Sequence, residues 1–199
     1  MPIGSREEYE FYLEADRLSL ELIRRRPRLF GDEIWKFQRL LRTLEYTLNC
    51  RRSALWRPYR TLLSIRFHRM SVRLGFTIPP NVFGPGLAIA HRGTIVVNSC
   101  ARVGANCRLH VCVNIGSTAG TDEEAPEIGE NVYIGPGAIL FGPIRIADGV
   151  AIGANSVVTS SFTDPSITIA GAPARRINDR GTEGLLVRGT EMVGLDRAG

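Results

Sequence analysis

The sequence has no uncharged apolar run suited to crossing a bilayer. Its longest charge-free stretch, Leu74 to His91, holds three prolines and three glycines among 18 residues, which would break a spanning helix. No N-terminal stretch has the apolar core of a secretory signal, because Arg6, Glu7, Glu8 and Glu10 come too early. The expected compartment is the cytoplasm. The four cysteines, Cys50, Cys100, Cys107 and Cys112, form no CxxC pair and no Cys/His cluster at zinc-finger spacing, so they read as reduced thiols. Histidine is scarce, with His68, His91 and His110 alone. At 199 residues, 44% hydrophobic and 23% charged, the chain has the balance of a soluble globular protein rather than a disordered one.

Positive charge is unevenly spread. Residues 1–80 hold 16 Arg/Lys and 9 Asp/Glu, a net +7; residues 81–199 hold 9 and 11, a net −2. The basic pI therefore describes the first segment and not a nucleic-acid-binding coat, and no nucleic-acid partner is expected. That segment reads as helical. Ser5 and Glu8 form a capping box opening a helix that runs to about Arg26, before Pro27. A second helix starts near Asp32, with Ile34, Phe37, Leu40, Leu41, Leu44 and Leu48 stepping by three and four. A third runs from about Leu55 to Leu74, with Pro58 in its first turn and Gly75 as its stop.

After Gly75 the period changes to six. Aliphatics recur at Val97, Val103, Leu109 and Ile115, then at Ile128, Ile134, Leu140, Ile146, Ile152 and Val158. The break from Ile115 to Ile128 is one step plus seven residues, and Thr121–Glu127 is expected to leave as an exposed loop. Helices want steps of three and four, and plain strands alternate. A hexapeptide repeat suits a parallel β-helix, with one short strand and one turn per repeat and three repeats per coil. The small residues that follow the aliphatics, such as Gly104, Gly116, Gly129, Gly135 and Gly153, let the chain turn its corners. The expected organisation is a helical segment over 1–75, a β-helix over 76–177 and a tail over 178–199. The tail, without a clear period, reads as extended or mobile.

Three stretches, AHRGTIVVN (90–98), IGPGAILFGPIRIADGVAIGANSVV (134–158) and IAGAPARRI (169–177), resemble the serine acetyltransferases and their hexapeptide-repeat relatives. The resemblance implies a mainly β fold, a left-handed parallel β-helix with an N-terminal α-helical segment, despite the usual right-handed crossover preference. It implies a homotrimer, with a hexamer as the alternative, and acetyl-CoA lying along the groove between two prisms. By its place in AHRGTIVVN, His91 is the catalytic base, a role that suits an imidazole near neutral pH. His91 also stands six residues before Val97, in a phase otherwise held by aliphatics. Either the coil is irregular there or the ring faces a cleft. Gly116, Ser117, Gly135, Pro136, Ala138, Gly153 and Ala154 are the matching pantetheine-groove positions, where small residues admit a cofactor to the main chain; they serve equally as plain corners. Arg175 and Arg176 are candidates for the CoA phosphates.

The acceptor side departs from the family. The aspartate before the histidine is Ala90, a second upstream aspartate falls at Phe76, and the Arg-His pair of the loop falls at Glu124 and Ala125. The loop TDEEAPE should repel a carboxylate. The expected reaction is therefore O-acetylation of a sugar or polysaccharide precursor, with serine O-acetylation in a rearranged pocket as the alternative. Arg92, His110, Asp122 and Glu124 are the acceptor-side candidates. His110, 19 residues after His91, is also readable as a buried structural residue. A zinc site would need three convergent histidines, and His68 lies on the helical segment, so no metal is expected. The arginine-rich helix 51–70 carries Trp56, Tyr59, Leu62, Leu63 and Phe67. Burial against a neighbouring subunit is the favoured reading, and contact with an anionic membrane surface is the other.

Overall fold

The computed structural model describes residues 2–194. Three helices precede a triangular prism of short strands. Helix α1 (Arg6–Ser19) opens as expected: Ser5 Oγ accepts from the Glu8 N–H at 3.1 Å, and the Glu8 carboxylate accepts from the Gly4 N–H at 2.7 Å. It ends seven residues earlier than Pro27 suggested. Glu21 takes a left-handed conformation, φ 58°, and Arg17 donates to the carbonyls of Leu22 and Ile23. These bonds close the helix end before proline is reached. Helix α2 (Glu33–Cys50) and helix α3 (Arg57–Leu74) lie where the sequence places them, and Gly75 ends α3 at φ 78°.

The prism is built from β1 (Phe76–Thr77), β2 (Ala88–Ile89), β3 (Ile95–Val97), β4 (Arg102–Val103), β5 (Arg108–Leu109), β6 (Asn114–Gly116), β7 (Glu127–Ile128), β8 (Tyr133–Ile134), β9 (Ile139–Phe141), β10 (Arg145–Ile146), β11 (Ala151–Ile152), β12 (Val157–Val158) and β13 (Thr168–Gly171). Strand β14 (Ala174–Asn178) folds back antiparallel on β13. Face A stacks β1-β3-β6-β9-β12. Face B stacks β4-β7-β10, extended by bridges at Phe83 and Phe162. Face C stacks β2-β5-β8-β11-β13-β14. Val97, Ile115, Leu140 and Val158 align on face A. Val103, Ile128 and Ile146 align on face B, and Leu109, Ile134 and Ile152 on face C. All ten are at most 4% exposed, so the six-residue period is the core of the prism. Corner asparagines and glycines supply left-handed turns; alanine at Gly137, φ 73°, would be strained and would push the Asn155 side chain aside, since its Cβ would meet Asn155 Oδ1 at 2.1 Å.

The excursion between faces A and B spans 117–126 rather than 121–127. Asp122, Glu123 and Glu124 are exposed, but Ala125 and Pro126 are buried and Glu127 already belongs to β7. The Pro126 carbonyl accepts from Arg102 N at 3.1 Å, rejoining the ladder early. The tail also differs from expectation. Through residue 194 it packs back along the prism to α1. Thr182 Oγ1 donates to the Asn131 carbonyl at 3.0 Å, the Thr190 N–H to Asn106 Oδ1 at 3.1 Å, and the Gly189 N–H to Ser19 Oγ at 3.1 Å. Helix α4 (Gly189–Met192) fits because its glycine has no Cβ, which would lie 2.2 Å from the Ala15 carbonyl oxygen. Residues 195–199 of the expected tail lie outside the described residues.

The first coil has no coil beneath it, so its backbone groups need other partners. Helix side chains supply them. Gln38, fully buried, donates to the Leu87 carbonyl and accepts from Ile89 N. Asp16 Oδ1 accepts from Gly86 N and Leu87 N, each at 2.9 Å. Arg42, also fully buried, bonds Asp16 and Glu45 and donates to the carbonyls of Phe83 (2.9 Å) and Gly84 (2.7 Å). Glu45 Oε1 accepts from Asn81 N at 2.7 Å. Burial alone would push the Arg42 guanidinium toward losing its proton; the carboxylates of Asp16 and Glu45 keep it charged. This capping layer holds the strand that leads directly to His91.

Candidate active site

His91 sits just past β2, at the corner between faces C and A. Ile89, not His91, is the inward residue there: it pairs with Leu109, 20 residues on, whereas a regular coil takes 18. Two extra residues swell the corner and turn the imidazole out, and His91 is exposed. Of the two alternatives, the structure shows the irregular coil, with the ring exposed. Gly93 pins the swelling. Its φ is 139°, a Cβ there would overlap Val111 Cγ2 at 2.3 Å, and its N–H donates to the Leu74 carbonyl at 3.3 Å.

His110 lies one coil above. Its ring centroid is 5.9 Å from that of His91 and 5.0 Å from that of Tyr133. The His110 Nε2 is buried with no hydrogen-bond partner among the described residues. Desolvation first, then the Arg108 and His91 charges, hold its pKa below the usual histidine value. His110 is therefore a neutral imidazole at pH 7. Because the unfolded chain binds the proton that folded His110 refuses, stability falls as pH drops through about 6.5. His110→Gln is expected to flatten the melting-temperature decline between pH 7 and pH 5; an unchanged slope would show that another group carries it.

The same corner continues upward. Ala90 N bonds the Leu109 carbonyl, His110 N that of Ile134, Gly135 N that of Ile152 and Gly153 N that of Ile169. His91, His110, Gly135, Pro136, Ala138, Gly153 and Ala154 thus share one column. Arg175, opposite Ala170, stands at its top on β14. Five strand gaps of about 4.8 Å make the column roughly 24 Å long. Gly135 and Gly153 are demanded by stacking itself, since added Cβ atoms would lie 2.8 Å from Ala154 N and from Ala170 Cβ respectively. Arg176 is tied to Asp164 at 2.7 Å and Asp179 at 2.6 Å, whereas among the described residues Arg175 bonds only the Ala174 carbonyl. Gly116 and Ser117 are not in the column. They lie across face A with Asp122 and Glu124, and among the described residues neither carboxylate pairs with His91.

A cavity of about 300 Å³ opens beside the His91 corner, bounded by Leu20, Ile34, Trp35, Ile89, Ala90 and Arg92. Trp35 and Gln38 were not legible as site neighbours. Trp35 resembles ordinary helix packing and Gln38 the solvated side of α2, and nothing in the sequence pairs them with β2.

The family model for the bacterial transferase hexapeptide (six repeats) matches residues 125–160. Serine acetyltransferase of Salmonella typhimurium is 34% identical over 133 residues, 65% of this chain and 48% of that protein. The Escherichia coli K12 serine acetyltransferase is 36% identical over 126 residues, 61% of this chain and 45% of its own. The chain thus spans about half the length of these curated relatives. The solved serine acetyltransferase of Brucella abortus S19 superposes with TM-score 0.68 at 26% identity, over 88% of this chain and 71% of that one. The Neisseria gonorrhoeae enzyme in complex with serine gives 0.66 at 28%, over 87% and 70%. Repeat, faces and likeness define a hexapeptide-repeat left-handed β-helix. Within that class the chain is serine acetyltransferase-like.

Proposed function

We propose that this protein is an acetyl-CoA-dependent O-acetyltransferase with L-serine as its acceptor. The observation that carries the reading is the exposed imidazole of His91, in AHRGTIVVN, at the foot of a column that ends at the uncommitted Arg175. Acetyl-CoA lies along the column with its thioester at His91 and its phosphates toward Arg175. His91 takes the proton of the acceptor hydroxyl as that oxygen attacks the thioester carbonyl carbon. The tetrahedral intermediate collapses, the C–S bond breaks, and the imidazolium returns the proton to the leaving thiolate, giving CoA and the acetyl ester. In a trimer of prisms the loop at 117–126 and the His91 corner of a neighbour come together, which gives Asp122 and Glu124 a route to the acceptor.

The named relatives are serine acetyltransferases, and this favours serine over the saccharide hydroxyl that the acidic loop suggested. The loop remains the one observation for a sugar acceptor, because Glu124 and Ala125 replace the Arg-His pair. Arg92, beside the Trp35 cavity, is positioned to take over the serine carboxylate. Release of free thiol from acetyl-CoA, measured with L-serine and with a panel of sugars and nucleotide sugars, decides between them. Turnover with serine supports the proposal, and turnover with a sugar alone overturns its acceptor.

Arg175→Ala is expected to raise the KM for acetyl-CoA about tenfold with little change in kcat, the effect of losing one charge-assisted hydrogen bond of about 1.5 kcal/mol. Arg176→Ala should do much less, since its guanidinium already serves Asp164 and Asp179. Initial rates across acetyl-CoA concentrations check both.

A further inference from the structure

Helix α3 has two apolar faces. Leu63, Phe67, Met70 and Leu74, stepping by four, three and four, form the packed side, against α2 and the first coil. The opposite side has no partner among the described residues. Leu62 (52% exposed), Ile65 (50%) and Val72 (69%) step by three and seven along one outward ridge, preceded by Tyr59 and by the exposed Leu55 (91%) and Trp56 of the turn at Ala54–Trp56. Arg57, Arg66 and Arg73 flank this ridge, Arg69 lies within it, and Arg60 lies toward the packed side. None of the five forms an ion pair among the described residues; Glu33 shares a groove with Arg66 and Arg69 but pairs with neither. The sequence around them has no counter-charge, for no aspartate or glutamate occurs between Glu45 and Asp122.

An exposed apolar ridge flanked by arginines that nothing neutralises matches one occupant well, an anionic lipid surface. We infer that α3, with the turn at Ala54–Trp56, lies flat on an anionic bilayer. The apolar ridge enters the boundary between headgroups and acyl chains, and the arginines pair with lipid phosphates. No helix among the described residues is long and apolar enough to cross a membrane, so the contact is peripheral. A second copy fits the face less well. A two-fold contact sets the same patch against itself and would oppose arginine rows with no acid between them. Nucleic acid would use the arginines but leave the ridge in water. Because α3 packs on β1, the first strand of face A, a parallel trimer would present three such helices at one end, and their binding would reinforce one another.

The test is sedimentation of the full chain with vesicles of phosphatidylcholine alone and of phosphatidylcholine with phosphatidylglycerol, at low and high salt. We expect binding to the anionic vesicles only, weakened by salt. The Leu62→Glu/Ile65→Glu variant and the Arg66→Gln/Arg69→Gln/Arg73→Gln variant are each expected to bind at least tenfold less. Both change exposed side chains, and unchanged circular dichroism confirms their folding. Absence of binding to the anionic vesicles, or equal binding by both variants, overturns the inference. So does a change in oligomeric state by light scattering in Leu62→Glu/Ile65→Glu, which would assign the ridge to a second copy.

Discussion

Replacing Arg42 with alanine is expected to cost about 3–5 kcal/mol of folding stability, the range for breaking a buried ion pair from one side. That is a large share of the roughly 5–15 kcal/mol that holds a typical domain together. The reason is what the substitution leaves behind. Asp16 and Glu45, both about as buried as Arg42 itself, would lose their counter-ion, and the carbonyls of Phe83 and Gly84 would lose their donors. The Tyr12 ring, 4.8 Å from the guanidinium carbon, would border a cavity. Arg42→Lys, which keeps the charge but not the fork that reaches two carboxylates and two carbonyls, should lose less. Urea denaturation followed by circular dichroism measures both. A loss below about 1 kcal/mol for Arg42→Ala, the level of a surface pair, would show that the capping layer does not hold the first coil.

His91→Gln is expected to behave in the opposite way, stable and inactive. The ring is exposed and makes no side-chain hydrogen bond among the described residues, so the melting temperature should stay put. Removal of a general base is expected to lower kcat about 10²–10⁴-fold, while the KM for acetyl-CoA, set along the column above, changes little. Steady-state thiol release beside a thermal melt separates the two effects. Retention of more than a tenth of the wild-type rate would move the base to another residue, and His110, 5.9 Å away ring to ring, is then the group to replace.

The repeat was the most legible part of the chain, because a prism with three faces forces one inward aliphatic every six residues and the residues cannot hide it. The swelling at His91 was half legible. Its phase was visibly wrong for an inward residue, but only the pairing of Ile89 with Leu109 shows that two extra residues carry the ring outward. The end of α1 was not legible, since Pro27 is the obvious stop while the true one depends on Arg17 meeting the carbonyls of Leu22 and Ile23. The capping layer was invisible for a related reason. Asp16, Gln38, Arg42 and Glu45 look like the solvated side of helices, and only the open lower edge of the first coil gives buried polar groups a purpose. The packed tail depends on single contacts to Ser19, Asn106 and Asn131 that have no periodic signature. On the site side, the column of corner residues follows from the repeat, whereas the separation of Ser117, Asp122 and Glu124 from His91 follows from which corner each occupies.

A crystal structure of the protein with CoA tests the central claim most directly. The CoA sulfur is expected beside the His91 imidazole, the pantetheine arm along Gly135, Gly153 and Ala154, and the phosphates at Arg175. A CoA molecule with its sulfur away from the His91 corner, or bound on another face of the prism, would contradict it.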